Sequence, residues 1–383
     1  MTAPFPSAHE LMAQASQATG LTDFGDPDFR IGLEMFLSCI GREAGLEDAA
    51  AQRLLGLIRQ RLTSRLEVEA YLARHPEITQ TEVGPSLSIT GLPRTGTTAL
   101  TNIMSLDDQF RPLRNWEQTR PCPPPVLATE ATDPRRLEAL ATLEMITKTN
   151  PEFAAMHLSD VDATEEDVEL LGLSFHAQQA VLPIFSYHGW WREADMRPSF
   201  AFHRRVIQML QSRRPPNSWL FKAPAHNFHL EALVCAYPDI RVVMTHRDPA
   251  KVVPSAISII SALQAKGQAP DPAAFGRHHM DHLRIGAQKA IAARQVLGED
   301  RFLDIHHRDF VRDPFGTLER VYAFLGREFR PETRARMELW HAQNRSGAHG
   351  RHRYSAQQFG LNDAQIRREF GFYIDRYGVP LED

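Results

Sequence analysis

The chain has 383 residues, 43% of them hydrophobic and 23% charged, and a formal net charge of −4. That length suits one large α/β domain or two small ones, and that composition suits a globular protein with a sizeable core. A slightly acidic chain is not built to bind duplex nucleic acid. Three widely spaced cysteines, Cys39, Cys122 and Cys235, make no disulfide framework and fit a reducing compartment.

Residues 1–6 lack the charged and apolar blocks of a secretion signal, and no apolar run approaches the ~20 residues of a membrane span. The expectation is a cytoplasmic protein with no membrane contact. Residues 7–77 read as helical. Asp26-Pro27 opens one helix through Leu33, Phe36 and Ile40, and a longer one carries Leu54, Ile58, Leu62 and Leu66 before Pro76 stops it. Residues 1–80 therefore read as a helical N-terminal cap. It packs on the main domain or on a second subunit of a homodimer, or serves as a lid or dimer arm.

The stretch Leu87-Ser88-Ile89-Thr90-Gly91-Leu92-Pro93-Arg94-Thr95-Gly96-Thr97-Thr98 is a short apolar strand, a turn and a helix start. Gly91 and Gly96 bracket four residues, as in a P-loop, whose inward N–H groups hold an anion at a helix N-terminus. Nucleoside triphosphatases place Lys where Thr97 stands. Here the cation is Arg94, inside the loop, so a phosphate is expected, held differently from ATP. Glu117 follows 23 positions after Arg94, the length of a strand–helix–strand return. It can end a strand beside the loop and act as general base, or pair with Arg114 or Arg120.

Residues 133–181 read as helical, with a second segment opening at Thr164-Glu165-Glu166-Asp167, whose acidic residues suit a helix start or a substrate contact. The aromatic stretch Phe185 to Trp191 reads as a loop that is either an acceptor wall or a buried satellite cluster. A helix over 200–212 comes next. Trp219-Leu220-Phe221-Lys222 is a second parallel strand ending at Lys222, and Ile240 to His246 a third, delivering Arg247-Asp248-Pro249. Ser255 lies eight residues after Arg247 on the next helix. Two donors so placed can clamp one phosphate. His278 and His282 share an i, i+4 spacing on a helix over 272–297. No Glu or Cys accompanies them, so a solvated face is expected rather than a metal.

Together the Pro93-Arg94-Thr95-Gly96-Thr97-Thr98 loop and the Arg247-Asp248-Pro249…Ser255 pair resemble the sulfotransferases that use 3′-phosphoadenosine 5′-phosphosulfate, in the bacterial and tyrosylprotein branches. The resemblance runs from about Leu87 to Arg247 and less securely to Tyr377, through an Asp309 to Gly326 stretch similar to the family's terminal strand and helix. It implies a P-loop-like central parallel sheet flanked by helices over residues 81–383. It implies that Arg94, Thr95, Gly96, Thr97 and Thr98 hold the 5′ side of the nucleotide, and Arg247 and Ser255 its 3′-phosphate. Arg351, Arg353 and Ser355 are candidates in a C-terminal covering loop. Glu117 and Lys222 match the family's catalytic Glu and Lys, with Arg94 as a further catalytic cation; His226 and His176 are rival bases. The implied reaction is sulfuryl transfer to a hydroxyl or amine of a small molecule, without a metal. The acceptor is left open among a phenol, a sterol-like alcohol, a sugar and a peptide tyrosine. An ATP-dependent phosphotransferase would need the missing loop Lys and a metal-binding Asp after a buried strand, where Thr245-His246-Arg247 stand instead. A non-catalytic nucleotide-binding module is the other alternative.

Overall fold

A computed structural model describes residues 5–149, 161–214, 218–264, 270–344 and 355–382. Five short strands form its sheet: Leu87–Gly91 (β1), Phe110–Pro112 (β2), Ser218–Lys222 (β3), Arg241–His246 (β4) and Phe302–His306 (β5). Their spatial order is β2-β3-β1-β4-β5, and every pairing is parallel. In the register, Leu87 lies opposite Leu220 on one side and Arg241 on the other. Helices cover both faces, which is why the strands are apolar on both sides.

The two-residue alternation of strand side chains divides the core. Trp219, Phe221, Val242 and Met244 point into one cluster, which also contains Leu11, Leu33, Ile58, Leu62 and Leu66 of the N-terminal helices. Leu220 and Val243 point the other way, onto Leu100, Ile103 and Leu318. The N-terminal helices span Ala8–Thr19, Phe29–Cys39 and Asp48–Arg74. Ser7 and Glu10 close a reciprocal cap at the first. The three pack into the same hydrophobic cluster as the sheet rather than into a core of their own.

Several local expectations are corrected. The strand before Glu117 is only Phe110–Pro112, and Glu117 itself lies on the short helix Asn115–Thr119. The aromatic stretch is a helix, Phe185–Glu193, with Tyr187, His188 and Trp191 buried. The acidic run precedes a helix of only five residues, Val168–Gly172, while Thr164 bridges to Arg114 in extended form. The Asp309 stretch is helical, His307–Arg312, and the edge strand is β5 ahead of it. His279 and His282 are buried instead of solvated.

Candidate active site

The carboxyl ends of β1, β3 and β4 are adjacent, where open parallel sheets place ligands. The loop after β1 turns at Gly91, with φ +140°, where a side chain would run into the Thr245 carbonyl of β4. It turns again at Gly96, φ +97°, the cap of the helix Thr97–Met104. Arg94 also adopts a positive φ of +67°, an uncommon conformation for a residue with a Cβ. Such strain collects at ligand-binding loops. Arg94 and Thr98 are exposed at the mouth of the loop, whereas Thr95 and Thr97 are buried. Thr95 Oγ1 donates to the Leu92 carbonyl at 2.6 Å and contacts Thr245 Oγ1, so its side chain fastens the loop to β4.

Arg247 follows β4 and reaches this loop. Its Nη1 donates to the Arg94 carbonyl at 3.3 Å, which joins the two motifs in space. The other face of its guanidinium is taken. Nε and Nη2 donate to the two carboxylate oxygens of Glu382, each at 2.9 Å. A bidentate carboxylate is the geometry in which this fork would take a phosphate. Glu382 is fixed by its backbone: its N–H donates to Asp248 at 2.9 Å and its carbonyl accepts from Arg367 at 2.6 Å. Ser255 is buried on the helix Pro249–Leu263 that Asp248 caps. Burial, with Arg247 and Arg94 close by, pushes the His307 imidazole beside the loop down to about 4. It is neutral at pH 7 and leaves the positive charge here to the two arginines.

Lys222 ends β3, almost fully buried, and its Nζ donates to Glu166 Oε1 at 3.2 Å. The Glu166 side chain keeps 33% of its exposure. It stands between Thr164, which bridges to Arg114, and the helix Val168–Gly172. Thr164 donates to Asn102 of the helix after the loop, and the Glu165 N–H donates to the Leu113 carbonyl. Next to it, Asp167 has no exposure and faces His226 Nε2 at 3.0 Å and His203 Nε2 at 3.4 Å. Burial alone would raise its carboxyl group, but the two facing imidazoles hold it well below the usual range. His226 is completed by Ser88 Oγ of β1, 2.9 Å from its Nδ1.

Glu117 is fully buried. One oxygen accepts from Arg111 Nη2 at 3.2 Å, the other from the Arg114 N–H at 3.1 Å. Its partner is Arg111, not the expected Arg114 or Arg120 side chain, and Arg111 is itself stacked on Trp219 and donating to the Leu210 carbonyl. His176 lies apart, on Asp28 and the Ser174 carbonyl. Ser355 caps the turn Ala356–Phe359, while Arg351 and Arg353 lie outside the described residues. Among the described residues, no three His, Cys, Asp or Glu side chains are grouped to hold a metal.

Of the residues expected at the site, Arg94 and Arg247 lie side by side and Lys222 faces Glu166. Glu166 is one of the acidic residues expected at a helix start or a substrate contact, and nothing in the sequence singles out Asp167 or Glu382.

Comparison with known proteins follows the same outline. Residues 85–331 match the model of the sulfotransferase family. The crystal structure of sulfotransferase STF9 from Mycobacterium avium superposes with a TM-score of 0.91 at 29% identity, covering 100% of this chain and 99% of that one. Sulfotransferase STF1 from Mycobacterium tuberculosis superposes with a TM-score of 0.85 at 28% identity, covering 96% and 99%. The omega-hydroxy-beta-dihydromenaquinone-9 sulfotransferase Stf3 of Mycobacterium bovis is 25% identical over 179 residues, 45% of this chain. The match spans 44% of that curated relative's length.

Proposed function

The chain belongs to the sulfotransferase family, and we propose that it transfers a sulfuryl group from 3′-phosphoadenosine 5′-phosphosulfate to a hydroxyl, or an amine, of a small acceptor. The observation that carries this reading is the contact of Arg247 with the Arg94 carbonyl. It puts two anion-binding motifs side by side, as a nucleotide charged at both its 3′ and 5′ positions requires. The residues fit that donor. The loop closes on β4 at Gly91 and opens the helix at Gly96, and the Arg247 fork already carries an anionic carboxylate. A hydroxyl acceptor is supported by the omega-hydroxy substrate in the name of Stf3.

In the transfer, the acceptor oxygen forms a bond to sulfur as the bond from sulfur to the bridging phosphate oxygen breaks. The electron pair leaves with 3′-phosphoadenosine 5′-phosphate, and the acceptor proton goes to a carboxylate. Arg94, Lys222 and the loop amides stabilise the charge on the bridging oxygen and the sulfuryl group. For the base, Glu166 is better situated than Glu117. Glu166 is partly open and within hydrogen-bond reach of Lys222, whereas both oxygens of Glu117 are engaged inside the protein. Glu117 then anchors the end of β2. The cationic groups suffice without a metal, and activity is expected to survive EDTA.

The test combines binding and turnover. The melting temperature should rise with 3′-phosphoadenosine 5′-phosphate and not with AMP. Label should pass from sulfur-labelled donor to a member of a panel of alkyl and aryl alcohols. Stabilisation by Mg-ATP, with no response to the 3′-phosphorylated nucleotide, would make the protein a phosphotransferase.

A further inference from the structure

We propose that Asp167 is a positioning residue: held between His226 and His203, it sets the separation of Glu166 from Lys222 and so the alignment of the acceptor half of the site. The proposal rests on the sulfuryl-transfer reading for its consequence, though not for its geometry.

Two stretches far apart in sequence meet here, residues 164–167 ahead of the helix Val168–Gly172 and the turn that follows β3. Two ion pairs cross-link them. Lys222 Nζ meets Glu166 at 3.2 Å, and His226 Nε2 meets Asp167 at 3.0 Å. Glu166 and Asp167 are neighbours in sequence, and His226 is four residues beyond Lys222 in the turn Pro224–Phe228. The pairs differ in environment. Asp167 and His226 have no exposed side-chain surface, whereas Glu166 opens toward solvent. Glu166 and Asp167 are adjacent, so fixing Asp167 fixes the backbone from which Glu166 reaches the lysine.

The anchor is tied in three directions. His226 Nδ1 reaches Ser88 on β1, the strand that feeds the anion loop. His203 comes from the helix Arg197–Gln211, and its Nδ1 lies 2.6 Å from the Tyr237 hydroxyl. The imidazoles face the carboxylate in ion-pair contact rather than in hydrogen-bond alignment, since neither oxygen of Asp167 finds a donor at a good angle. A carboxylate wholly removed from water depends on the polar groups that face it, and a neutral amide presents them a different edge. The arrangement takes no part in the backbone pairing of the strands. Its effect falls on the Glu166–Lys222 contact.

The experiment is a double-mutant cycle. Asp167→Asn is expected to lower kcat by about 10²-fold, the cost of a misplacement near 1 Å, with the dissociation constant for 3′-phosphoadenosine 5′-phosphate within about twofold of the wild-type value. On a Glu166→Gln background the same substitution should cost less than about threefold further, because its effect runs through Glu166. Additive losses, or an Asp167→Asn enzyme with normal kcat, overturn the proposal. Should Asp167→Asn fail to fold, His226→Gln, which keeps an N–H facing the carboxylate, takes its place in the cycle with the same expectations. A readout independent of turnover is acylation of Lys222 by an N-hydroxysuccinimide ester, followed by mass spectrometry. Its rate should rise several-fold in either variant as the lysine loses its partner, and an unchanged rate refutes the positioning role. If the wild-type protein ignores 3′-phosphoadenosine 5′-phosphate, the sulfotransferase reading fails, while the labelling result still decides the geometry.

Discussion

At Arg247 the protein supplies its own anion. The Glu382 carboxylate lies across the guanidinium fork, and its backbone is pinned by Asp248 and Arg367. On the proposed reading, a nucleotide 3′-phosphate at this fork displaces one side chain and leaves the surrounding segment in place. Glu382→Gln weakens the competitor without touching the fork. It should tighten 3′-phosphoadenosine 5′-phosphate by about fivefold, the equivalent of roughly 1 kcal/mol for one charge-assisted pair replaced by a neutral one. Arg247→Ala should weaken the same ligand by roughly 1.5–3 kcal/mol and abolish its preference over the nucleotide lacking the 3′-phosphate. Calorimetric titration of both variants checks this, and an unchanged affinity in Glu382→Gln places the 3′-phosphate elsewhere. The two carboxylates near the strand ends should separate just as cleanly. Glu166→Gln removes the proposed base and should lower kcat by about 10²–10⁴-fold, with a smaller loss of stability than at Glu117 because Glu166 is part-exposed. Glu117→Gln strips a buried partner from Arg111 and should destabilise the fold, by up to roughly 3–5 kcal/mol. If instead Glu117→Gln melts normally but is inactive, Glu117 is the base. These roles were hard to read from sequence because both residues sit in plausible local contexts. A burial difference of this kind is set by tertiary packing, and the spacing from Arg94 carries no trace of it.

Helices and strands were legible where a period or a stop residue marked them. The helix over 272–297 was expected with the boundaries it has, since Pro272 opens it and Gly298 ends it. The strands of the nucleotide loop, of Lys222 and of Arg247 were found because parallel strands are apolar throughout. The aromatic stretch was misread as a loop because its helix is short and capped by no side chain. That helix packs its His188 against His278, with Nδ1 and Nε2 2.8 Å apart, while Gln178 reaches His282. Phe185, Trp191 and Phe228 close in around the imidazoles. Burial pushes His188 down to about 4, His279 to about 2, and His282 well below its usual value, with Arg192 adding repulsion at His188 and His282 and Glu43 opposing it weakly at His188. His229, against Trp191 and near Lys289, falls to about 3 for the same leading reason. The sign follows directly. These histidines have folded values below the unfolded value of about 6.5, so their contribution is intact above that pH and is lost as the pH falls below it. Each group costs about 1.4 kcal/mol per pH unit in that window. Urea midpoints should therefore fall steeply from pH 6.5 to 5, and His279→Phe should flatten the slope. A flat profile would show that the imidazoles reach water.

On the scale of the whole molecule, the N-terminal helices were legible as elements but not as part of the core. Their apolar stripes suit a cap on any surface, and only packing reveals that Leu62 and Leu66 share a cluster with Phe221. Their polar residues reach the site's supporting segment. Arg61 pairs with Glu169 at 2.8 Å, two residues beyond Asp167. Arg65 is buried, donates to the Phe24 and Asp26 carbonyls and to Ser174, and lies over the rings of Phe29 and Phe202. Burial lowers its guanidinium to about 10, so it stays charged at pH 7. One cation thus ties the turn before the second helix to the stretch that follows Val168–Gly172. Arg65→Ala removes the donors and leaves those buried acceptors unmet, a loss of roughly 3–5 kcal/mol. It should lower the melting temperature by several degrees and, by loosening the segment behind Glu166, reduce kcat more than nucleotide affinity. Arg65→Lys restores a charge but not the fork, and should recover only part of both. Residues 81–383 expressed alone should fail to fold, since Tyr187, Phe202 and the apolar surface clustered with the N-terminal helices would lose their cover. A soluble, cooperatively melting 81–383 fragment would mean that the helices are an appended cap after all. Hydrogen exchange of the intact protein makes the same distinction without truncation: exchange in Asp48–Arg74 should proceed with global unfolding, not ahead of it.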